Sequence, residues 1–456
     1  MASFTHEPHS GGTIFSLSSA PGRAGVAVFR LSGPKAGEIL RKISSRALPR
    51  PRYASLAALR TLSGEVIDEG LTLWMPAPAS FTGEDCAELQ VHGSLAVIEA
   101  MAAALLEYGA RQSEAGEFTR RAFENGRMEL TEAEGLADLI DAETQAQRIQ
   151  AIRQMQGGLK EIYEDWRERI LDALAQIEGE IDFPDEGDIP QGLSHKAHAP
   201  LTALARDMNA ALETAERGER IRAGLDIAII GPPNAGKSSF INRLAGRDAV
   251  IVTDQAGTTR DIVDINLVIA GLPVRLSDTA GLRESADVIE SEGIRRARAR
   301  AKDADIRLVI HDGAQTAQID STLPEGSALL QDGDYLLHNK SDLAAPKTLP
   351  LPVQAKQLGV SALTGEGFDA FLSQLEADVT ARYSPARVAG LTRVRHRDCV
   401  MRAQNAVERA ASSLGIAPEL AGDDLRAALL ALRELAGQTD IEAVFDRIFS
   451  RFCVGK

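Results

Sequence analysis

Between about residues 12 and 120 the apolar positions fall in short runs: Thr13-Ile14-Phe15-Ser16-Leu17, Val26-Ala27-Val28-Phe29-Arg30-Leu31 and Gly70-Leu71-Thr72-Leu73-Trp74. Glycine and proline turns divide them, so the segment is expected to be strand-rich, with one helix around Ala96 to Tyr108. From about 129 to 182 the spacing turns helical. Ile149, Ile152, Leu159, Ile162, Trp166, Ile170, Leu174, Ile177 and Ile181 recur at intervals that put them on one side of long amphipathic helices. Pro184 and Pro190 break that run, and a further helix is expected over roughly Leu201 to Glu219. Helical spacing returns late in the chain, in Val400, Val407 and Leu414 and then in Leu425, Leu429, Leu432 and Leu435.

Between the two helical stretches, at about 222 to 380, the pattern is that of an α/β module. Leu225-Asp226-Ile227-Ala228-Ile229-Ile230 reads as a buried strand, and Gly231-Pro232-Pro233-Asn234-Ala235-Gly236-Lys237-Ser238 follows it, matching the whole G-x-x-x-x-G-K-[ST] phosphate loop. Glycines let backbone N–H groups close around phosphate oxygens, with Asn234, Ala235, Gly236 and Ser239 in or beside the loop. Lys237 neutralises the β and γ phosphates, Ser238 ligates magnesium, and the helix that begins there points its positive end at the anion.

Three further elements follow in order. Asp278-Thr279-Ala280-Gly281 ends the strand Val274-Arg275-Leu276-Ser277, where a carboxylate can hold magnesium through water and a glycine N–H can meet the γ-phosphate. Asn339-Lys340-Ser341-Asp342 follows Tyr335-Leu336-Leu337-His338, and the Asp342 carboxylate accepts from the N1–H and N2 amino edge of guanine, which adenine lacks. Ser361-Ala362-Leu363 suits the loop whose backbone meets the guanine oxygen. In Gly257-Thr258-Thr259-Arg260-Asp261 a switch loop can offer the Thr259 hydroxyl to magnesium, with Thr258 beside the phosphates or a cation. Together these predict a GTPase.

Leu282 stands where Ras-like enzymes carry the glutamine that orients the attacking water. Hydrolysis must then draw on another polar group, and Arg283, Glu284, Asp287, Glu290 and Glu292 are the nearby candidates. Asn234 adds an amide carbonyl inside the phosphate loop that can ligate a monovalent cation, a substitute for an arginine finger.

Composition narrows what remains. At 456 residues the chain has room for about three domains. A net charge of −15 argues against a broad nucleic-acid surface, leaving local patches such as Arg295, Arg296, Arg298, Arg300 and Lys302, or Arg393, Arg395 and Arg397. Cys86, Cys399 and Cys453 lie far apart, with neither disulfide nor zinc spacing. His195 and His198 lack companions and read as loop histidines. No apolar run reaches membrane-spanning length and the N-terminus lacks a signal-peptide pattern, so a soluble, cytoplasmic protein without a membrane role is expected. Cys453 is fourth from the C-terminus, but Lys456 at the last position and no preceding polybasic run argue against prenylation. A buried structural cysteine and a thiol presented for chemistry remain the two readings.

Pro21-Gly22-Arg23, Phe81-Thr82-Gly83-Glu84-Asp85, Gly116-Glu117-Phe118-Thr119-Arg120-Arg121-Ala122-Phe123, Ile181-Asp182-Phe183-Pro184-Asp185, the Asn-bearing phosphate loop and the ending Phe452-Cys453-Val454-Gly455-Lys456 resemble the MnmE (TrmE) family of tRNA modification GTPases. The likeness spans essentially the full chain. It implies a multidomain α+β and α/β fold: a strand-rich N-terminal domain similar to the tetrahydrofolate-binding T-protein of glycine cleavage, and a helical domain split by an inserted P-loop GTPase domain. The corresponding boundaries are 1–122 for the N-terminal, dimerising domain, 123–221 for the first helical part, 222–380 for the GTPase domain and 381–456 for the second helical part with its Cys motif. The family hydrolyses GTP with potassium stimulation. With a flavin-dependent partner, MnmG or GidA, it forms a carboxymethylaminomethyl or aminomethyl group on C5 of the wobble uridine of certain tRNAs.

By the same resemblance Asn234, Thr253, Gln255 (through its backbone) and Thr258 correspond to a potassium site, and Ser238 and Thr259 to magnesium ligands. Glu290 corresponds to the catalytic glutamate and Cys453 to the C-terminal thiol. Arg30, Glu88, Arg127 and Lys456 fall at positions that contact 5-formyltetrahydrofolate or a related tetrahydrofolate; Arg127 replaces a lysine found in some members, keeping the charge with different hydrogen-bond geometry. Implied partners are a second copy of the chain in a homodimer, the flavin protein in a hetero-oligomer, and tRNA. The competing classes are an RNA-binding ribosome-assembly or signalling GTPase with no modification role, and a one-carbon transferase merely regulated by GTP. The folate-like front domain and the Cys-bearing tail speak against the former. No complete acid/base machinery is identifiable in the N-terminal domain for the latter.

Overall fold

The computed structural model describes residues 12–182, 193–246, 264–278, 299–316, 326–383, 390–414, 416–438, 448 and 455. They form two compact units: 1–137 with 155–157 and 433–456, and 138–154 with 158–432.

The first unit is built on strands β1 (Ile14–Leu17), β2 (Ala24–Ser32), β3 (Ser55–Arg60), β4 (Val66–Met75), β5 (Cys86–Gly93) and β6 (Arg111–Gln112). They lie in the order β3-β4-β5-β2-β1-β6, antiparallel except for the β1–β6 pair. Helices α1 (Ala36–Ser44) and α2 (Leu95–Glu107) supply Ile39, Leu40, Ile43, Met101 and Leu105 to a core shared with Phe15, Phe29, Trp74 and Leu89 of the sheet. A single helix was expected here, so α1 is a departure. Its apolar positions, Ala36, Ile39, Leu40 and Ile43, do sit at helical spacing, but over only nine residues. Gly37 lets α1 approach the sheet, because a Cβ there would lie 2.8 Å from the Trp74 ring.

Helix α3 (Glu117–Glu124) ties the 116–123 motif to the 81–85 motif. Buried Arg121 bonds Glu84 at 3.0 Å, Glu117 at 2.9 Å and the Gly12 carbonyl at 3.1 Å, while Ser32 donates to Glu84 at 2.7 Å. Both motifs therefore hold the domain together, since a buried guanidinium is tolerated only when its donors are matched. Helix α4 (Leu130–Ile140) begins beside them, with Leu130 and Ala133 packed against Phe123 and Ile448.

In the second unit, α5 (Gln145–Met155), α6 (Gly158–Asp182) and α7 (Leu193–Ala223) precede a second sheet, and α11 (Val394–Ser413) and α12 (Pro418–Ala436) follow it. The predicted helical positions Leu159, Trp166, Ile170 and Ile177 of α6 are buried, as are Val400 and Val407 of α11; Ile149 is exposed. Helix α7 starts well before the expected Leu201 and contains Pro200, His195 and His198, so these histidines are helical rather than in a loop. Ala197, Leu201, Leu204 and Met208 are all fully buried, and that continuous apolar face outweighs the backbone hydrogen bond that proline forfeits.

The second sheet contains β7 (Leu225–Ile230), β8 (Asp264–Ile269), β9 (Leu272–Asp278), β10 (Ile306–Asp312), β11 (Tyr335–Asn339) and β12 (Lys356–Gly359), in the order β12-β11-β10-β7-β9-β8. All neighbours are parallel except β8 and β9. Helix α8 (Lys237–Ala245) follows β7, α9 (Gly313–Thr316) follows β10, and α10 (Phe368–Tyr383) follows β12. Phe240 of α8 packs against Phe368 and Phe371 of α10, with ring centroids 5.0 and 5.6 Å apart, the first pair tilted and the second edge-on.

Candidate nucleotide site

In a doubly wound sheet, ligands bind beyond the carboxyl ends of the strands, where the strand order reverses. Strand β7 is such a point, with β9 on one side and β10 on the other. Every nucleotide motif read from the sequence and described in the structure sits at this end. The 231–238 loop leaves β7, Asp278 ends β9, Asn339 ends β11, and Ser361 follows β12.

The loop's glycines are dictated by contact as well as by conformation. Gly231 has φ +156° and a Cβ there would lie 2.0 Å from the Ile310 carbonyl oxygen; Gly236 has φ +89° and a Cβ there would lie 2.2 Å from Asn339 Nδ2. Asn234 itself is left-handed at φ 61°, a state asparagine tolerates better than most residues. Lys237 is buried, and its Nζ donates to the Gly231 and Pro232 carbonyls at 2.7 and 2.8 Å. A cation folded onto its own loop, at the amino end of α8, is the donor set a polyphosphate requires.

Asn339 joins three of the motifs. It is 1 % exposed, its Nδ2 donates to the Ala235 carbonyl at 2.7 Å, and its Oδ1 accepts from the Ala362 amide at 3.0 Å. Lys340, left-handed at φ 63°, donates to Asp312 at 2.6 Å, and Asp342 stands exposed beyond it. Ser361 is buried and its Oγ accepts from the Thr364 amide at 3.1 Å, with Leu363 exposed.

Two supports were missed from sequence. Arg243 of α8 donates from Nε to the Ala362 carbonyl at 2.7 Å and from Nη2 to the Leu363 carbonyl, fixing the 361–363 loop to the phosphate-loop helix. Asp312 anchors Lys340. Neither lies in a motif; only a position one helical turn past the loop, or at the end of a neighbouring strand, could have pointed to them. Beneath the same end of the sheet, His311 and His338 face each other across β10 and β11, Nε2 to Nδ1 2.8 Å, and both are buried. Burial first, and the neighbouring His338 second, push His311 down to about 4; burial also lowers His338, which Gln357 partly offsets.

Thr253, Gln255, Thr258, Thr259, Thr279, Ala280, Gly281, Glu290, Cys453 and Lys456 lie outside the described residues, as does the side chain of Asp278. In the first unit, Arg30 pairs with Glu88 at 2.9 Å across β2 and β5, and its guanidinium lies 5.4 Å from the Phe81 ring centre. Arg127 flanks the same 81–85 segment: a Cβ on Gly83 would come within 3.1 Å of its Cγ. Arg30 and Arg127 thus border the 81–85 segment, with Glu88 held by Arg30. The Arg393 and Arg397 patch is largely committed to ion pairs, with Asp138 at 2.7 Å and Glu219 at 3.5 Å.

The family model of the MnmE helical domain matches residues 130–453, and that of the GTP-binding protein TrmE N-terminus matches residues 13–127. The tRNA modification GTPase MnmE of Maricaulis maris is 51% identical over 444 residues, covering 97% of this chain and 99% of the relative. That of Parvibaculum lavamentivorans is 49% identical over 448 residues, covering 97% and 100%. Among solved structures, the G domain of the T. maritima FeoB iron transporter covers 35% of this chain and 98% of its own at 22% identity, with a TM-score of 0.26, too weak a likeness to carry an argument.

Proposed function

The chain belongs to the MnmE family of tRNA modification GTPases, and on that premise we propose that it hydrolyses GTP in this cleft to drive modification of the wobble uridine of certain tRNAs. The observation that carries the GTPase reading is Asn339, whose two side-chain hydrogen bonds bring the phosphate loop, the Asn-Lys-x-Asp segment and the Ser-Ala-Leu loop around one cleft. The relatives align over nearly the whole of both chains, which favours the modification role over that of an assembly or signalling GTPase.

Within this reading Lys237 and the loop amides hold the phosphates, Asp342 reads guanine, and Ser238 and Thr259 take magnesium with Asp278 behind it. Asn234, Thr253, Gln255 and Thr258 take potassium, whose charge substitutes for an arginine finger, and Glu290 orients water in place of the glutamine that Leu282 replaces. Magnesium supplies Lewis acidity at the phosphates; the chain's own part is to position it and to exclude bulk water. Residues 1–122 act as a tetrahydrofolate-binding-like, dimerising domain, with Arg30, Glu88, Arg127 and Lys456 at the folate and Cys453 beside the modification chemistry. The 222–380 segment is the GTPase domain, set between helical parts 123–221 and 381–456. The protein works in the cytoplasm as a homodimer with the flavin-dependent MnmG/GidA protein.

The test is mass spectrometry of tRNA nucleosides from cells lacking the chain. Loss of the aminomethyl-type substituent at the wobble uridine, restored by the wild-type gene, is expected; an unchanged nucleoside profile would overturn the reading.

A further inference from the structure

The charge of this chain is unevenly placed. Residues 12–60 carry nine lysines and arginines against one acidic residue, Glu38, in a protein whose net charge is −15. The densest part is the connection from α1 to β3, Ser45 to Ala54, with Arg41 and Lys42 in the last turn of α1. Arg41, Arg46, Arg50 and Arg52 are all exposed, and none of them pairs with a carboxylate among the described residues. Many arginines elsewhere are matched, among them Arg121 with Glu84, Arg220 with Asp305, Arg393 with Asp138 and Arg426 with Glu178.

The connection is held in a defined shape. Ser45 closes α1 at φ 51°, and the Arg52 amide donates to the Trp74 carbonyl at 2.8 Å. Arg46 Nη1 donates to the Leu56 carbonyl at 2.8 Å, and Arg52 Nη2 donates to the Ala79 carbonyl. Arg52 is itself left-handed at φ 66°, a conformation that glycine or asparagine would occupy at less cost. Arg50 lies over the ring of Tyr53, 4.2 Å from its centre, and Tyr53 is 55 % exposed. Uncompensated guanidinium groups at fixed positions around an exposed aromatic ring are the features with which proteins grip a phosphate backbone and stack an unpaired base.

We propose that the α1–β3 connection, through Arg41, Arg46, Arg50, Arg52 and Tyr53, is a contact surface for the phosphate backbone of a structured RNA. It rests on the modification reading for the identity of that RNA, a tRNA. The guanidinium groups neutralise phosphates and set the register, and Tyr53, already stacked by Arg50, offers its other face to a base.

The experiment uses the full chain and fluorescently labelled, unmodified tRNA, with binding followed by anisotropy between about 50 and 200 mM salt. Replacing Arg41, Arg46, Arg50 and Arg52 together by alanine should weaken binding roughly ten-fold or more at 100 mM salt. It should also make the log-log salt slope shallower by about 3, nearly one unit for each phosphate that is no longer neutralised. The corresponding lysine variant should stay within a few-fold of wild type, and GTP turnover should be unchanged in both. Should the quadruple variant melt early, Arg41→Glu with Arg50→Ala serves instead, since neither side chain holds a backbone carbonyl in the structure. A wild-type chain that binds tRNA, with variants that bind it equally well at the same salt slope, would overturn this proposal alone. Failure of the wild-type chain to bind tRNA at all would overturn it together with the tRNA role. Arginine-dependent binding to anionic phospholipid vesicles, with tRNA binding untouched, would assign the surface to a membrane instead.

Discussion

At the residue scale the nucleotide cleft is defined by a few polar side chains whose partners fix what they can bind. Asp342 is exposed at the end of a segment held by Asn339 and the Lys340–Asp312 pair, and in the proposed function its carboxylate is the group that meets the guanine edge. Asp342→Asn should cost about a hundred-fold in GTP affinity, the value of hydrogen bonds to a charged group, and should favour xanthosine triphosphate, whose 2-carbonyl accepts from the new amide. Competition binding checks this; retained GTP preference would mean the base is read elsewhere. The His311–His338 pair makes a second prediction. His311 titrates near 4 in the folded protein and near 6.5 in an unfolded chain, so between those values the unfolded state takes up a proton that the native state refuses. Stability is therefore expected to fall as pH drops through that window and to be unaffected by this residue above it. Charged and polar groups facing the pair, Asp312 and Gln357, do not reverse the direction. Melting temperatures of the wild type and His311→Gln from pH 7 to 4.5 should diverge, with the variant flatter; parallel curves would contradict the assignment.

At the level of elements, the cleft depends on packing behind it. Phe240 is fully buried and wedges α8, the helix that begins at Lys237, against α10. Phe240→Ala should cost about 3 to 5 kcal/mol in stability and loosen GTP binding, because the cavity cannot be refilled without moving α8. Calorimetry and GTP titration on that variant measure both effects; a change in stability below about 1 kcal/mol would show that α8 is positioned by other contacts. Strands β7 and β11 were legible in the sequence because they are buried on both faces and read as short apolar runs, whereas the polar β12 carried no such signal. The loops at their ends were legible because phosphate and guanine demand particular residues at fixed spacing. Helix α1 was not, since nine residues hold only two turns of periodicity. The start of α7 was hidden by Pro200, whose usual meaning is overridden by the buried face of Ala197, Leu201 and Leu204. Arg243 was invisible for a different reason: its partners, the carbonyls of Ala362 and Leu363, lie far along the chain, and backbone acceptors leave no residue signature.

For the whole molecule, chain order and spatial grouping differ, and the difference links the two ends of the sequence. Residues 433–456 group with 1–137, and there the Ser18 hydroxyl donates to the Gly455 carbonyl at 3.1 Å. Gly455 has φ +101°, and a Cβ on it would lie 2.6 Å from the Leu17 carbonyl oxygen, so only glycine makes this approach. Cys453 and Lys456 flank that anchor in sequence, while the GTP cleft belongs to the other unit. In the proposed function the chain joins two chemistries, hydrolysis at the cleft and modification at the unit that holds Gly455. Glu290→Ala, introduced into cells lacking the wild-type gene, tests whether the first drives the second. GTP affinity within about two-fold of wild type, no potassium-dependent hydrolysis, and wobble uridine left unmodified by mass spectrometry are the predicted results; full wobble modification by a variant that binds GTP without hydrolysing it would contradict the central claim.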